Sequence, residues 1–280
     1  MKLRCFVAVM LACVINVGVC YGADGQLRCS PLYFGPNAMP VPPMLHGRVS
    51  DRLCVEAGYD LYAGFYGDIT HTLMLSAKVP LFTKRVNLSL WFPVIEFYKN
   101  TPASMELRSP LVSKMSGYEI GNVYVSTDIQ VLEEKKYVPG VTLRAAMITA
   151  SGDGDQYSRY FDSPGYFFDV SAGKSIMLGG NAVSELRLAG TLGFLCWQAG
   201  EALQNDAYMY GVSASAGGKY GALTVTWQGY TGWMDNGDRP MVISCEARFY
   251  AGHFSPMVSY QYGIRDYPFH KCSVGLAYRL

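Results

Sequence analysis

The sequence lacks a long apolar run beyond residue 22, where no 18 consecutive apolar residues occur, so a membrane-spanning helix is not expected. Charged residues are also scarce. They make up 16% of the 280 residues, and 23 basic against 22 acidic side chains leave a net charge of +1. Such a balance does not favour binding to nucleic acid or another polyanion. Disorder is excluded, because 50% of the residues are hydrophobic and 14% are aromatic.

The first 22 residues have the features of a secretory signal peptide. Lys2 and Arg4 form a short basic region, and residues 5–19 are an apolar run that is shorter than the about 20 residues needed to span a bilayer. Cleavage is expected after Gly22. A lipoprotein signal ending at Cys13 is the weaker alternative, because almost no apolar region precedes that cysteine.

Cysteines and short motifs do not indicate a metal or nucleotide site. Five cysteines follow the signal, without C-x-x-C spacing: Cys29, Cys54, Cys196, Cys245 and Cys272. A zinc site is therefore not expected. The triplet Gly173-Lys174-Ser175 matches only the end of a P-loop, and the acidic clusters at 153–155 and 235–238 do not complete a calcium-binding pattern. His46 and His253 are interpreted as ordinary surface residues.

From residue 52 onward, apolar residues recur with a period of two, which is the period of a β-strand. Val55, Ala57 and Tyr59 alternate with Glu56 and Asp60, so that one face is apolar and the other charged. The stretches are about 10 to 13 residues long, as in membrane barrels, whereas soluble strands usually have about 5 to 6. We predict an all-β fold, an antiparallel transmembrane β-barrel of about 12 strands in meander order. The strands are expected near 52–64, 68–80, 84–97, 118–131, 139–149, 164–176, 183–197, 207–217, 220–231, 240–251, 254–264 and 269–280.

The connections support this interpretation. An even number of strands places both ends of the barrel chain on the periplasmic side, where membrane barrels have short turns, and external loops are longer. The even-numbered connections are about seven residues or shorter, and most odd ones, including 98–117, 150–163 and 198–206, are longer. The chain ends in Tyr278-Arg279-Leu280, which resembles the terminal assembly signal of outer-membrane barrels.

Tyrosines cluster near the predicted strand ends, as expected for the aromatic girdles at the membrane interfaces. The girdles are predicted to include Tyr59, Tyr62, Tyr118, Tyr160, Tyr166, Tyr208, Tyr210, Tyr230 and Tyr262. The alternative is a secreted β-sandwich or lipocalin-like barrel with its apolar face inside. Strands this long and regular are uncommon in those folds.

The chain resembles integral outer-membrane β-barrels of Gram-negative bacteria, and more specifically the uncharacterised porin-like barrels of Bacteroidota. The resemblance rests on Tyr33-Phe34-Gly35-Pro36-Asn37-Ala38, Gly67-Asp68-Ile69-Thr70-His71-Thr72, Tyr166-Phe167-Phe168-Asp169, Asn205-Asp206-Ala207 and Asp266-Tyr267-Pro268-Phe269-His270. It covers most of the mature chain. It implies an outer-membrane location after signal-dependent export, but it carries no catalytic motif.

Charged side chains on the second face are expected to point into the barrel, because a charge facing lipid costs about 2 to 4 kcal/mol near the bilayer midplane. The predicted lumen wall comprises Glu56, Asp60, Lys78, Asp128, Arg144, Asp169, Glu185, Arg187, Glu246, Arg248, Lys271 and Arg279. Opposed positions predict three pairs, Asp169 with Arg187, Asp128 with Arg144, and Glu246 with Arg248. At the seam of the barrel, Glu56 and Asp60 are expected to face Lys271 and Arg279. These acidic and basic side chains either orient a polar solute in the lumen or simply neutralise each other.

Residues 23–51 precede the first strand and contain five prolines, so they form neither a helix nor a central strand. The segment is either a plug inside the lumen or a disordered periplasmic tail. Its apolar side chains favour the plug. The residues of that plug are predicted to be Tyr33, Phe34, Pro36, Asn37 and Leu45.

These features predict an outer-membrane channel of the porin type for passive diffusion of small hydrophilic solutes, with no cofactor and no enzymatic activity. The expected partners are outer-membrane lipid and lipopolysaccharide, the assembly machinery during biogenesis and a small solute. One alternative is a closed structural or interaction barrel at the cell surface, which a sealed lumen would favour. Another is a lipid-modifying enzyme, which would need a Ser or Thr hydroxyl beside His71 or His270 at the bilayer edge.

Overall fold

The structure, a computed structural model, describes residues 31–32, 34–108, 114–152, 159–160, 164–180, 183–199, 203–232 and 238–280. Nearly all regular structure in these ranges is β-strand. The strands are β1 (Cys54–Gly64), β2 (Ile69–Pro80), β3 (Val86–Lys99), β4 (Ser116–Glu119), β5 (Tyr124–Leu132), β6 (Gly140–Ile148), β7 (Gly165–Met177), β8 (Glu185–Ala199), β9 (Leu203–Gly217), β10 (Gly221–Gly232), β11 (Met241–Phe249), β12 (Phe254–Arg265) and β13 (Phe269–Arg279). A short helix, α1 (Pro102–Arg108), precedes β4. No helix in these ranges is long and apolar enough to cross a membrane.

The strands form one closed antiparallel barrel in meander order. Closure is completed by pairing of β1 with β13, and the remaining neighbours follow chain order. β4 and β5 both pair with β3, at its end and its beginning respectively, so together they form one position of a 12-stranded barrel. The predicted fold class is therefore confirmed.

The predicted fourth strand, 118–131, is interrupted. Its pairing with β3 stops at Tyr124 and resumes at Glu119, and between them the backbone N–H of Gly121 donates to the carbonyl of Pro93 at 3.0 Å. Pro93 lies within β3 and has no N–H to offer the next strand. The ladder is consequently broken at this point, and the strand becomes two.

Along the strands, side chains point alternately to the outer and the inner surface of the barrel, as the period of two predicts. On β1, Val55 and Tyr59 are exposed on the outer surface, whereas Asp60 is buried and Glu56 half-buried on the inner one. Leu188 and Leu192 on β8 and Leu223 and Val225 on β10 also lie on the outside. An apolar exterior and a polar interior are the pattern of a barrel whose solvent is lipid.

Short connections lie at one end of the barrel, here called the turn end, together with the C-terminus. The opposite end, here called the loop end, carries most of the longer connections, including the one that contains α1. The predicted loop at 198–206 is shorter than expected, because the pairing of β8 with β9 extends to Ala199 and Leu203.

Residues 34–50, here called the lumen segment, run through the interior of the barrel. Phe34 packs near the loop-end residues Tyr124 and Ile148, and Arg48 reaches Glu185 at the turn end. The lumen segment contributes no strand to the sheet. The hydrogen-bonded wall is therefore closed without it.

Candidate functional site in the barrel lumen

The loop-end half of the lumen is filled by an apolar cluster that the lumen segment forms with the wall. Phe34, Ala38 and Met39 are each at most 1% exposed. Around them pack the inward-facing residues Tyr124, Ala146, Ile148, Phe167, Leu195, Trp197, Ala207, Met209 and Tyr230. A second cluster of Tyr62, Val242, Tyr267 and Phe269 is joined to it through Val41. Because the contacts come from strands on most sides of the barrel, the described residues of this half of the lumen are densely packed.

Asn37 anchors the lumen segment to three strands at once. Its Nδ2 donates to Glu96 Oε2 at 2.6 Å and to Thr72 Oγ1 at 2.9 Å. Its Oδ1 accepts a hydrogen bond of 2.8 Å from the Tyr62 hydroxyl. All four side chains are buried. Buried polar groups that are paired in this way specify one position for the segment.

The backbone of the lumen segment is also hydrogen-bonded by the wall. Since the segment is not part of a sheet, its carbonyls need other donors. The carbonyl of Pro36 accepts from the Tyr267 hydroxyl at 2.8 Å, and that of Met39 from the Tyr230 hydroxyl at 3.3 Å. These tyrosines therefore act as wall donors. Tyr62, Tyr160 and Tyr230 were predicted as girdle residues and are buried instead, whereas Tyr59, Tyr118, Tyr166, Tyr208 and Tyr262 are exposed and Tyr210 is half-buried.

At the turn end, the lumen segment is held by ion pairs. We call Arg48, Glu134, Ser175, Glu185 and Arg187 the mouth cluster. Arg48 Nη2 lies 3.1 Å from Glu134 and 2.8 Å from Glu185, and Arg187 Nη1 lies 2.5 Å from Glu134. Arg187 also donates through Nη2 to the carbonyl of His46 at 2.9 Å.

Glu134 lies in the turn between β5 and β6 and is the acceptor at the centre of the mouth cluster. Its partial burial opposes ionisation, but hydrogen bonds from Arg187, the backbone N–H of Ser175 and Arg48 outweigh it. Together they lower the pKa of Glu134 from 4.5 to about 2. The carboxylate is therefore ionised at neutral pH and holds both arginines.

His46 is not a surface residue, contrary to the sequence interpretation. Its Nδ1 is 2.7 Å from Ser213 Oγ on β9, inside the barrel. Next to it, the carbonyl of Gly47 accepts from Gln130 Nε2 at 3.1 Å, and the N–H of Val49 donates to Gln130 Oε1, also at 3.1 Å. The lumen segment thus follows β5 to β9 in this half of the barrel.

The opposite wall of the turn-end half is left accessible. Arg248 on β11 lies 2.7 Å from Glu56 on β1 and 2.9 Å from Glu246. These three side chains, with exposed fractions of 17%, 22% and 37%, are more accessible than the inward-facing residues of the loop-end half. Half-buried polar residues of neighbouring strands continue this surface: Ser76, Thr224, Ser244, Ser259 and Gln261. The turn-end half therefore presents an accessible polar surface with charges of both signs, here called the vestibule.

Several predicted lumen-wall residues meet as expected. Lys271 Nζ lies 2.8 Å from Asp60 at the seam, and Glu246 pairs with Arg248. Asp128 and Arg144 are opposite each other in the register of β5 and β6. The ion pair there, however, joins Arg144 to Asp169 at 2.6 Å, and Asp128 accepts from Ser89 and Ser126 instead.

Two predicted pairings are wrong. Asp169 lies opposite Gly193 and Arg187 opposite Ser175, because the β7–β8 turn sets a different register from the one assumed. Glu56 bonds to Arg248 on β11, past the two intervening strands β13 and β12, while Arg279 lies against the ring of Tyr250 and opposite Cys54 at the barrel edge. Two predicted wall residues remain, and both lie near the turn end. Lys78 is exposed, whereas Glu185 is half-buried and joins the mouth cluster.

Among the predicted plug residues, Phe34, Pro36 and Asn37 are buried in the lumen and Leu45 is half-buried. Tyr33 and residues 1–30, which include the predicted signal peptide, lie outside the described residues. Sequence reasoning missed several charged residues of the site, among them Arg48, Glu96 and Glu134. Glu96 carried a usable signal, since it is an acid at an inward-facing position of a strand.

His71 and His270 are each hydrogen-bonded to a tyrosine. Tyr59 Oη lies 2.5 Å from His71 Nδ1, and Tyr260 Oη lies 2.7 Å from His270 Nδ1. Ser273 is buried, whereas its neighbour Cys272 is exposed on the opposite face of β13. The contact that would favour a lipid-modifying enzyme, a Ser or Thr hydroxyl at either histidine, does not appear among the hydrogen bonds of the described residues.

No protein-family model and no curated protein matches the sequence. Solved structures do match the fold. An outer-membrane channel from Pseudomonas putida F1 superposes with a TM-score of 0.62 at 9% identity, over 86% of this chain and 100% of the channel. The NanC porin superposes with a TM-score of 0.51 at 10% identity, over 81% of this chain and 100% of the porin. The chain therefore has the fold of outer-membrane β-barrel channels and porins, and its resemblance to barrels of Bacteroidota stays a prediction.

Proposed function

We propose that the protein is a porin-like channel of the Gram-negative outer membrane for small hydrophilic solutes, and that the lumen segment closes it in this conformation. The observation that carries the proposal is that the segment lies within a complete barrel wall without pairing to it as a strand. Within the described residues, the hydrogen bonds and ion pairs between the plug and the wall each involve a side chain, and none belongs to a backbone ladder. Its withdrawal would leave the hydrogen bonds of the barrel intact.

The vestibule supports a hydrophilic solute. Its wall offers hydroxyls, an amide and the Glu56–Arg248–Glu246 cluster, which places one cation between two carboxylates. Groups of both signs at close range orient polar and zwitterionic solutes without binding them tightly, as conduction requires. The fold of the P. putida channel and the NanC porin supports the same class of function.

Conductance in planar bilayers tests the proposal. We would compare the full mature protein with a variant that lacks residues 23–50 and with Asn37→Ala, which removes three hydrogen bonds of the plug. Pro43→Ala is the matched control, since Pro43 lies on the same segment but is exposed. A heat-dependent shift in gel mobility would establish that each variant forms a barrel.

The expected result is little conductance for the full protein and for Pro43→Ala, steady conductance after deletion, and intermittent opening for Asn37→Ala. A deletion variant that forms a barrel and still does not conduct would overturn the channel. It would favour the second candidate, a closed interaction barrel at the cell surface. That alternative has its own support, because the loop-end half of the lumen is sealed by buried side chains.

A further inference from the structure

The inward-facing hydroxyls of β10 to β13 differ from those on the other side of the barrel. On β3 and β5 to β8, each inward-facing serine or threonine of the described residues is hydrogen-bonded within the protein: Ser89, Ser126, Thr142, Ser171, Ser175 and Thr191. On β10 to β13, no side-chain hydrogen bond among the described residues involves the inward-facing hydroxyls, which belong to Thr224, Thr226, Ser244, Ser255, Ser259 and Ser273. The amide of Gln261 on β12 is likewise unpaired there.

The registers of β10 to β13 align most of these groups in two adjacent rows across the strands. In strand order, the first row is Thr224, Glu246, Ser259 and Ser273, and the second is Thr226, Ser244, Gln261 and Lys271. We call the neutral members of both rows the hydroxyl wall. Because neighbouring strands lie about 4.8 Å apart, several of its groups can contact different hydroxyls of one small solute.

The hydroxyl wall faces the vestibule and is not bonded to the lumen segment. From His46 onward, the hydrogen bonds of the segment to the barrel go to β5–β9 and to the β5–β6 turn. Four members of the hydroxyl wall are half-buried and reached from the vestibule, whereas Thr226 and Ser273 are buried at its base. Ser273 is only 4% exposed, and its Oγ has no hydrogen-bond partner. Since folded proteins pair nearly all buried polar groups with protein or water, the hydroxyl wall is available to partners from solution.

The charged groups beside the hydroxyl wall are already paired with one another. Arg248 is held by Glu56 at 2.7 Å and by Glu246 at 2.9 Å, and Lys271 lies 2.8 Å from Asp60. An anionic solute would have to displace a carboxylate to reach either cation. The groups left without a protein partner are hydroxyls and an amide, which both donate and accept hydrogen bonds. They match a neutral solute that carries many hydroxyls.

Glu246 adds a strong acceptor at the centre of this surface. It lies opposite Thr224 on one side and Ser259 on the other, and its side chain is 37% exposed. A carboxylate accepts hydrogen bonds from hydroxyls more strongly than a neutral group does, and it keeps free lone pairs when it is paired with an arginine. Lys78, which has no ion pair among the described residues, lies apart from this surface at the rim, opposite Cys54.

We propose that the hydroxyl wall, with Glu246 at its centre, is a binding site for neutral polyhydroxylated solutes of the size of a simple sugar. The inference rests on the proposed channel function and names the class of solute that the vestibule takes. Each hydroxyl of the solute exchanges a hydrogen bond with water for one with the wall, so the net gain is small. Binding is therefore weak, as passage through a channel requires.

Saturation-transfer NMR on the full mature protein tests the site without requiring conductance. The protein is held in micles of a detergent without a sugar headgroup, and the probes are glucose, the anion gluconate and the cation glucosamine. Transfer is expected to be strongest to glucose. The triple variant Thr224→Val, Ser244→Ala, Ser259→Ala removes three wall hydroxyls and no charge, and it is expected to reduce transfer to glucose at least about threefold.

The matched control removes three hydroxyls from exposed positions outside the lumen, by Ser116→Ala, Thr127→Val and Ser184→Ala. It is expected to leave transfer unchanged. Gln261→Ala is a second wall variant, in the other row, and is expected to weaken transfer in the same direction as the triple variant. It keeps the test decisive if the triple variant does not form a barrel in the heat-dependent gel shift.

Equal transfer to glucose in the native protein and the folded wall variants would overturn the hydroxyl wall, and so would no transfer in the native protein. Stronger transfer to gluconate or to glucosamine than to glucose would overturn the neutral class of solute. The channel is judged separately. If deletion of residues 23–50 opens conductance and glucose does not bind, the channel stands and the site is wrong. If the wall variants lose glucose binding and no form conducts, the site stands and the channel is overturned.

Discussion

Glycine at position 47 shows how closely the lumen segment approaches the wall. Its φ is +72°, a region that L side chains rarely adopt. A Cβ there would lie 2.5 Å from the backbone N of Gly173 and 2.6 Å from the carbonyl of Gly140. These are backbone atoms of β6 and β7, so neither can rotate aside. The Gly173 of the incomplete P-loop motif thus has a packing role.

Gly47→Ala is expected to destabilise the folded barrel by about 1–3 kcal/mol, through backbone strain and this collision. The measurement is the temperature at which the folded band disappears in the heat-dependent gel shift. Gly179→Ala is the control, because a Cβ there meets no atom within 4 Å. An equal loss of stability in both variants would contradict the close-packing argument.

At the scale of elements, the β5–β6 turn works as a clamp because it carries Glu134 into the mouth cluster. The turn itself is exposed at Lys136 and Tyr137, and only this carboxylate is directed to the segment. The clamp joins a turn, two strands and the lumen segment without any backbone ladder. Its strength therefore depends on charge, and charge depends on pH.

The folded-state pKa of Glu134, about 2, is below its ordinary value of 4.5. Stabilisation from this group is complete above that ordinary value and is lost as the pH falls toward the folded-state pKa. We expect the unfolding temperature to fall over this acidic range, and Glu134→Gln to lack that part of the fall. The measurement is thermal unfolding by circular dichroism at a series of pH values.

Glu133→Gln is the control for this pH dependence. Glu133 is the neighbouring acid, 55% exposed, and it pairs only with Arg85 among the described ion pairs. It is expected to keep the acid-induced fall of the native protein. Identical pH profiles for the two variants would show that Glu134 does not clamp the segment.

At the scale of the whole molecule, the two ends of the barrel differ. The connections at the turn end are short, while the loop end carries α1 and the long connection between β6 and β7. Membrane barrels place short turns in the periplasm and longer loops outside. In the outer membrane proposed above, this rule would place Phe34 on the outer side and Ser50 on the periplasmic side.

This orientation predicts which insertions an antibody reaches in intact cells. An epitope after Lys114, at the loop end, is expected to be stained without permeabilisation, and an epitope after Gly179, at the turn end, only with it. Both sites lie in exposed connections. Staining of the Gly179 insertion in intact cells would reverse the orientation.

The architecture could be predicted from the sequence because it depends on local alternation. Val55 and Tyr59 point outward and Asp60 inward regardless of which strands lie beside β1. The number of strands and the surface to which each side chain points therefore follow from the period of two. The interruption at Pro93 was not anticipated, because it needs the knowledge that Gly121 lies opposite. The aromatic girdle was correct only in part, since tyrosine serves both lipid interfaces and buried hydroxyl donors such as Tyr230.

The sequence by itself determined a barrel of twelve strands with an apolar exterior, a charged interior and a proline-rich segment unable to join the sheet. Only the tertiary structure decided which interior charges meet, since register and barrel circumference bring Arg248 to Glu56, 192 positions apart. It also decided that the segment packs into the loop-end half of the lumen and that Arg159 meets Glu96 there. Those contacts join residues 59 and 63 positions from Glu96, and no local pattern encodes such distances.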